Sequence, residues 1–96
     1  MTFKQVWDES SKQIGNLTAL ADELEQVRAA LKQQAQSAEE DSMIGEVAQA
    51  EAAAKQGDGP RALELLSKTG EWVLEVAQSM TATVAAAAIS AALGLP

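Results

Sequence analysis

Seven serines are candidate nucleophiles in this sequence, and the sequence offers no histidine to activate them. A serine hydroxyl needs an adjacent general base, and histidine is the usual base at neutral pH. The sequence contains no His, and it contains no Cys that could supply a thiolate nucleophile, a disulfide or a metal ligand. The composition therefore predicts a non-enzymatic protein without catalytic residues, metal ligands or cofactors.

Carboxylates are densest at three successive positions, which are Glu39, Glu40 and Asp41. Paired carboxylates can carry out acid–base chemistry or hold a divalent cation. Here they follow Ser37, and the spacing from Ser37 to Glu40 is that of a capping box at a helix start. Anionic side chains in the first turn of a helix also interact favourably with its dipole. The pattern favours a helix cap over a metal site, and it leaves the three residues as a candidate acidic surface for a protein partner.

The charge of the chain is strongly acidic and unevenly distributed. Asp and Glu number 14 against 7 Lys and Arg, the net charge is −7, and ten of the carboxylates precede residue 52. This balance argues against binding to nucleic acid, whose phosphates require clustered Lys and Arg. The acidic half either keeps the protein soluble, or it imitates nucleic acid and occupies a basic site on a partner protein.

The elements that position these residues are predicted to be helices. Twenty of the 96 residues are Ala, and aromatic residues make up 3% of the chain, a composition that favours helices over sheets. The first helix is expected to start at Thr2, where Gln5 completes a capping box, and to end at Gly15. The second follows Asn16, a good N-cap, and its apolar residues recur every three or four positions. Both segments are typical of amphipathic helices in a bundle.

A third helix is predicted from the cap at Ser37 to Lys55, and a long Ala-rich fourth helix from Pro60 to residue 93. Pro60 suits a first helical turn. Gly70 falls on the apolar stripe without breaking its rhythm, so it is interpreted as a close-approach residue inside that helix. The Ser and Thr residues at 79–83 can satisfy the backbone locally and predict a weak interruption there. The predicted fold is all-α, a small antiparallel bundle of three to four helices in a single domain, with an acidic half at 1–56 and an Ala-rich half at 57–96. The core residues predicted along the helix seams are Leu17, Leu20, Leu24, Val27, Leu31, Val47, Leu63, Leu66 and Val73.

The segment from Val76 to Pro96 contains no charged residue over 21 positions. Its length would permit a membrane span, which needs about 20 apolar residues, but five Ser, Thr and Gln side chains and the many alanines argue against one. A helix that is apolar on both faces is buried from two sides. In so small a protein this implies a central position or burial between subunits. The residues predicted to form a self-association surface are Trp72, Val76, Met80, Val84, Ala88, Ile89, Ala91 and Leu95.

The second half of the chain also carries a family-like pattern. The pattern comprises residues 47–53 (Val-Ala-Gln-Ala-Glu-Ala-Ala), Gly57-Asp58, Ala62-Leu63 with Leu66, Gly70 with Trp72, and the small-residue segment 84–95. In these features residues 40–96 resemble an Ala-rich helical C-terminal module of uncharacterised bacterial proteins, some of which are abortive-infection or phage-defence components. The resemblance implies a helical module that acts in a bacterial defence context.

Together these observations predict a cytoplasmic protein-interaction module that self-associates or binds a protein partner. The first alternative is an acidic inhibitor that occupies a basic site on a nucleic-acid-handling protein. The second alternative is a membrane-active helical effector that acts through the C-terminal segment. The cytoplasmic prediction rests on the absence of Cys and of an apolar segment of signal-peptide type at the N-terminus.

Overall fold

Six helices account for most of the residues that the structure describes. The computed structural model describes residues 2–14 and 16–94, except for the side chains of residues 12–14. Within these residues no strand occurs, and the helices are α1 (Phe3–Ile14), α2 (Leu17–Gln34), α3 (Ala38–Lys55), α4 (Gly59–Leu66), α5 (Glu71–Ser79) and α6 (Thr83–Ala92). The prediction of an all-α fold is confirmed for this part of the chain. The predicted end of α1 at Gly15 lies outside the described residues.

Local sequence determines the starts of the first three helices. Thr2 Oγ1 accepts the backbone N–H of Gln5, and Gln5 Oε1 accepts that of Thr2, so the capping box of α1 is present. Asn16 Oδ1 accepts a backbone N–H at 2.7 Å in the first turn of α2. Ser37 Oγ accepts the N–H of Glu40 at 3.1 Å in α3. These side chains satisfy donors that a first helical turn leaves unpaired, and the predicted starts are confirmed.

The predicted long last helix is wrong, because residues 59–92 form three helices instead of one. The first break lies at Gly70, which is the extended N-cap of α5 (φ −131°) and not a residue inside a helix. Just before it, Thr69 Oγ1 donates to the carbonyl of Leu66 at 2.6 Å. The side chain of Thr69 therefore supplies a hydrogen bond to the last residue of α4. Glycine has a low helix propensity, and its position after this local bond separates α4 from α5.

A second break separates α5 from α6 at residues 80–82. The N–H groups of Thr81 and Ala82 donate to the carbonyls of Gln78 and Ala77, each at 3.0 Å. These two bonds form a Schellman motif, which closes the C-terminal end of a helix. The uncharged segment is thereby divided between α5 and α6. None of the helices in the described part of the chain has the length and apolar character that crossing a membrane requires.

The hydrophobic core is formed by residues of α2, α3, α4, α5 and α6, and α1 packs against α4 and α6. Of the predicted seam residues, Leu17 is half-buried. The seam residues with no exposed surface are Leu20, Leu24, Val27, Leu31, Val47, Leu63, Leu66 and Val73. The radius of gyration is 11.7 Å, slightly below the roughly 12–13 Å expected for a compact chain of this length.

The position of α1 depends on the contact between Trp7 and Gly59 in α4. A Cβ atom added to Gly59 would lie 2.8 Å or less from three ring carbons of Trp7. Carbon atoms in ordinary contact are separated by about 3.5–4.0 Å, so only a glycine lets the indole ring approach this closely. Gly59 therefore sets the distance between α1 and α4.

Candidate functional site

A groove of about 210 Å³ lies beside the turn between α5 and α6. It is lined by Gln78, Thr81, Ala82, Thr83 and Ala86. Ala82 is buried and Ala86 is half-buried, whereas the three polar residues are exposed. Pockets that hold small-molecule ligands measure roughly 300–1,000 Å³. The groove therefore suits a single protruding side chain better than a cofactor.

The five residues that line this groove carry no charge. Met80 and Val84 are half-buried residues of the same turn and of the first turn of α6. No Asp, Glu, Lys or Arg follows Glu75 in the sequence. We refer to the five groove residues together with Met80 and Val84 as the α5–α6 surface. This surface is the part of the uncharged segment that the core leaves accessible around the turn.

The turn that shapes the groove has an unusual backbone conformation. Thr81 has φ +56°, in the left-handed region, and the other described residues with positive φ are the glycines Gly57 and Gly94. A β-branched side chain is an outlier in this region, which glycine adopts readily. The Schellman motif at the end of α5 is thus built on a residue type that disfavours it.

The α6 wall of the groove is held by a side chain from a distant part of the sequence. The N-cap position of α6 is Ala82, which has no side chain that could accept a hydrogen bond. Glu23 of α2 takes this role, because its Oε1 accepts the backbone N–H of Ala85 at 3.0 Å. A carboxylate at a helix N-terminus satisfies an unpaired donor and interacts favourably with the dipole. Glu23 therefore fixes the start of α6 against α2.

The residues predicted for self-association fall into two groups. Val76, Ala88 and Ile89 are buried in the core of the chain itself. The half-buried ones, which retain accessible surface, are Trp72, Met80, Val84 and Ala91. Leu95 lies outside the described residues. Of the accessible members, Met80 and Val84 belong to the α5–α6 surface, and the structure adds the groove beside them.

The predicted acidic surface lies in the first turn of α3. Glu39 and Asp41 are exposed, whereas Glu40 is half-buried, and its Oε1 accepts the backbone N–H of Gln36 at 2.8 Å. Glu40 therefore takes part in capping the helix. Among residues 2–14 and 16–94, no group of three or more Asp and Glu side chains is placed to hold a metal ion. The carboxylates that remain accessible to a partner here are Glu39 and Asp41.

Glu51 of α3 is a buried carboxylate that links two helices. Its side chain is 8% exposed, with Oε1 2.9 Å from Arg28 Nε in α2 and Oε2 3.0 Å from Lys55 Nζ. Burial raises the pKa of Glu51, but hydrogen bonds and charges from Lys55 and Arg28 outweigh burial and hold the pKa below its ordinary value of 4.5. The hydrogen bond to Glu51 raises the pKa of Lys55 in turn. The arrangement joins α2 to α3 and engages two of the basic side chains.

Sequence reasoning did not single out Glu23 or Glu51, nor the groove between α5 and α6. The hydroxyl residues from Ser79 to Thr83, which predict a weak interruption, lie where α5 ends and α6 begins. Ala82 is a second signal, because a helix that starts without a capping side chain needs an acceptor from elsewhere. The position of that acceptor depends on how α2 and α6 pack, which local spacing does not contain.

Comparison with known proteins completes the description of the site. No family model, no curated protein and no solved structure matches this chain. The interpretation of the groove and of the acidic surface therefore rests on their geometry and charge.

Proposed function

We propose that the chain is a non-enzymatic interaction module that self-associates through the α5–α6 surface. The observation that carries this proposal is an apolar groove at a turn inside the uncharged segment. The absence of His and Cys from the sequence supports a non-enzymatic role, since the usual general base and thiolate nucleophile are missing. The resemblance of residues 40–96 to bacterial helical modules extends the proposal to a phage-defence setting.

The charge of the chain favours the α5–α6 surface over the more acidic faces as the place where two copies can meet. Each copy carries a net charge of −7, and like charges that face each other across an interface oppose association. The α5–α6 surface contains no charged residue, so two copies can meet there without apposing carboxylates. A contact at most other faces would bring acidic side chains together.

The size of the groove supports a second copy as its occupant. A two-fold interface brings the same surface of both copies together, so a side chain beside the groove of one copy can enter the groove of the other. Met80 is half-buried in the adjoining turn, and its unbranched thioether side chain adapts to irregular cavities. We infer that Met80 of each copy fills the groove of the other and that Val84 packs at its edge.

Thr83→Glu tests this proposal by adding a negative charge to the surface. Thr83 is exposed, lines the groove and is the first residue of α6, where a carboxylate interacts favourably with the helix dipole. Glu23 already places a carboxylate at this helix start, so repulsion between the two carboxylates is expected to lower the thermal stability slightly. Because two carboxylates would face each other across the interface, the dissociation constant should rise at least about tenfold. Analytical ultracentrifugation over a concentration series measures it.

Ala38→Glu is the matched control for this experiment. Ala38 is exposed and is the first residue of α3, so the substitution adds the same charge at the same helix position but outside the α5–α6 surface. It should leave the dissociation constant within about twofold of the wild type. A wild-type chain that remains monomeric at about 100 μM, or a Thr83→Glu variant that associates as tightly as the control, contradicts the proposal.

A second candidate function is an acidic inhibitor that occupies a basic site on a partner protein. The observation that favours it is the distribution of ion pairs, because Arg28 and Lys55 are engaged with the buried Glu51. Those two cations therefore do not neutralise the exposed carboxylates of Glu39 and Asp41. In this function the start of α3 would take the place of phosphate groups on the partner.

A further inference from the structure

Thr81 occupies a backbone conformation that the fold could obtain more easily with another residue. Three described residues have positive φ, and each directly follows the C-cap residue of a helix. Gly57 and Gly94 fill two of these positions, whereas Thr81 fills the third with φ +56°. Steric strain disfavours a β-branched residue there, and glycine is the residue that relieves it.

Within the part of the chain that the structure describes, the side chain of Thr81 bonds to no other helix. The Schellman bonds of the turn are made by backbone groups, which a glycine would also supply. The hydroxyl of Thr81 donates to the carbonyl of its neighbour Met80 and to no other element. The residue is exposed, and it lines the groove. Strained residues that folding does not require are concentrated at binding and catalytic sites.

We propose that Thr81 is a recognition residue of the groove and that its side chain contacts the second copy of the chain. Its methyl group packs against the side chain that enters the groove, and its hydroxyl hydrogen-bonds to that copy in place of the Met80 carbonyl. The proposal rests on the self-association of the α5–α6 surface and adds a specific contact to it. It also explains why this turn keeps a threonine where the turns after α3 and α6 have glycine.

The test is a substitution that should improve the fold and weaken the interface at the same time. Thr81→Gly removes the strain and the side chain together, so we expect the melting temperature to rise by about 4 °C or more. The dissociation constant of the dimer should rise about tenfold, the change expected when one interfacial hydrogen bond and its packing are lost. Thr81→Asn tolerates positive φ and retains a hydrogen-bonding side chain, so its dissociation constant should stay within about threefold of the wild type.

Gly57→Thr is the control for the effect of strain itself. A Cβ atom at Gly57 would meet no heavy atom within 4 Å, so the substitution adds only the backbone cost. It should lower the melting temperature by about 4–8 °C and leave the dissociation constant unchanged. The measurements on the full chain are sedimentation equilibrium, and thermal denaturation at a concentration well below the dissociation constant, where loss of the dimer does not change the melting temperature.

The outcomes separate this inference from the proposed function. A Thr81→Gly dimer that is as tight as the wild type overturns the role of Thr81 and leaves self-association standing. A Thr81→Gly chain that melts at a lower temperature than the wild type overturns the role of strain. A wild-type chain that is monomeric throughout overturns self-association and the Thr81 contact together.

Discussion

Protonation of Glu51 affects the stability of this fold, because the pKa of its carboxyl is lowered in the folded chain. Both of its carboxylate oxygens are bonded, one to Arg28 and the other to Lys55. A carboxyl group whose pKa is lower in the folded chain than in the unfolded chain stabilises the fold above its unfolded pKa. That contribution is lost as the pH falls through the folded pKa. For Glu51 the loss begins near pH 4.5 and continues below it.

Glu51→Gln should therefore flatten the pH dependence of stability on the acid side. At neutral pH the variant loses two charge-assisted hydrogen bonds, and its free energy of unfolding should fall by about 1–3 kcal/mol. Below pH 4.5 the difference from the wild type should shrink, because the wild-type carboxyl becomes protonated there. Urea denaturation at a series of pH values measures both effects.

Glu64→Gln is the comparison for Glu51→Gln. Glu64 pairs with Arg61 at 2.9 Å, but both side chains are more than 40% exposed. Exposed ion pairs contribute about 0–1 kcal/mol, so this substitution should change little at any pH. If the stability of Glu51→Gln fell at acid pH as much as that of the wild type, then protonation of Glu51 would not be the cause of the acid-side loss of stability.

At the level of helices, α6 depends on α2 for its start. The chain supplies local caps for α1, α2, α3 and α4, but the cap of α6 comes from Glu23 across the core. A helix of 10 residues is too short to be stable alone in water. The register of α6, and with it the wall of the groove, is therefore set by its contacts with other helices.

Glu23→Ala should destabilise the start of α6 more than the rest of the fold. Loss of a helix cap costs about 1 kcal/mol, and the N–H of Ala85 would lose its acceptor. Hydrogen exchange measured by NMR should show a faster rate at Ala85, whereas Glu23→Gln, which keeps an acceptor oxygen, should restore part of the protection. Glu25→Ala is the control, because Glu25 is exposed on the same helix. Equal exchange at Ala85 in all three variants would contradict this role of Glu23.

Sequence patterns predicted those helix starts that depend on neighbouring residues. The side chains of Thr2, Asn16 and Ser37 accept hydrogen bonds from backbone N–H groups less than four positions away, so residue spacing is sufficient to predict these caps. Periodicity failed after Pro60, because α4, α5 and α6 each turn an apolar face to the same core, and the stripe continues across Gly70. The capping of α6 by Glu23 joins residues far apart in sequence, and the groove depends on the angle between two helices. Neither the Glu23 cap nor the groove can be predicted from the spacing of residues that are close in sequence.

The charge of the whole molecule is acidic and unevenly distributed along the sequence, and α5 still carries the exposed carboxylates of Glu71 and Glu75. Ten of the 14 carboxylates lie before residue 52, and none lies after Glu75. Long-range repulsion between two such molecules acts even when their contact surfaces are uncharged. Dissolved salt reduces that repulsion, since the screening length is about 10 Å at 0.1 M and shorter at higher concentrations.

Salt should therefore strengthen self-association and weaken the alternative function. Between about 0.05 M and 0.5 M NaCl, the dissociation constant of the dimer should fall several-fold, because screening relieves repulsion between the two copies. An acidic inhibitor bound to a basic site would show the opposite trend, as attraction is screened. Sedimentation velocity at both salt concentrations measures the first effect, and a dimer that dissociates as salt rises would contradict it.

The hydrogen bond between Glu23 and Ala85 joins residues 62 positions apart. It therefore cannot form until the ribosome has synthesised most of the chain. At about 5–20 residues per second, Glu23 is synthesised roughly 3–12 s before Ala85. During that interval α2 and α3 can pair, but the side of α2 that receives α6 stays open to solvent. A nascent chain halted between the two residues presents leucines of the unfinished core to chaperones and proteases, and packing of α6 onto α2 removes that exposure.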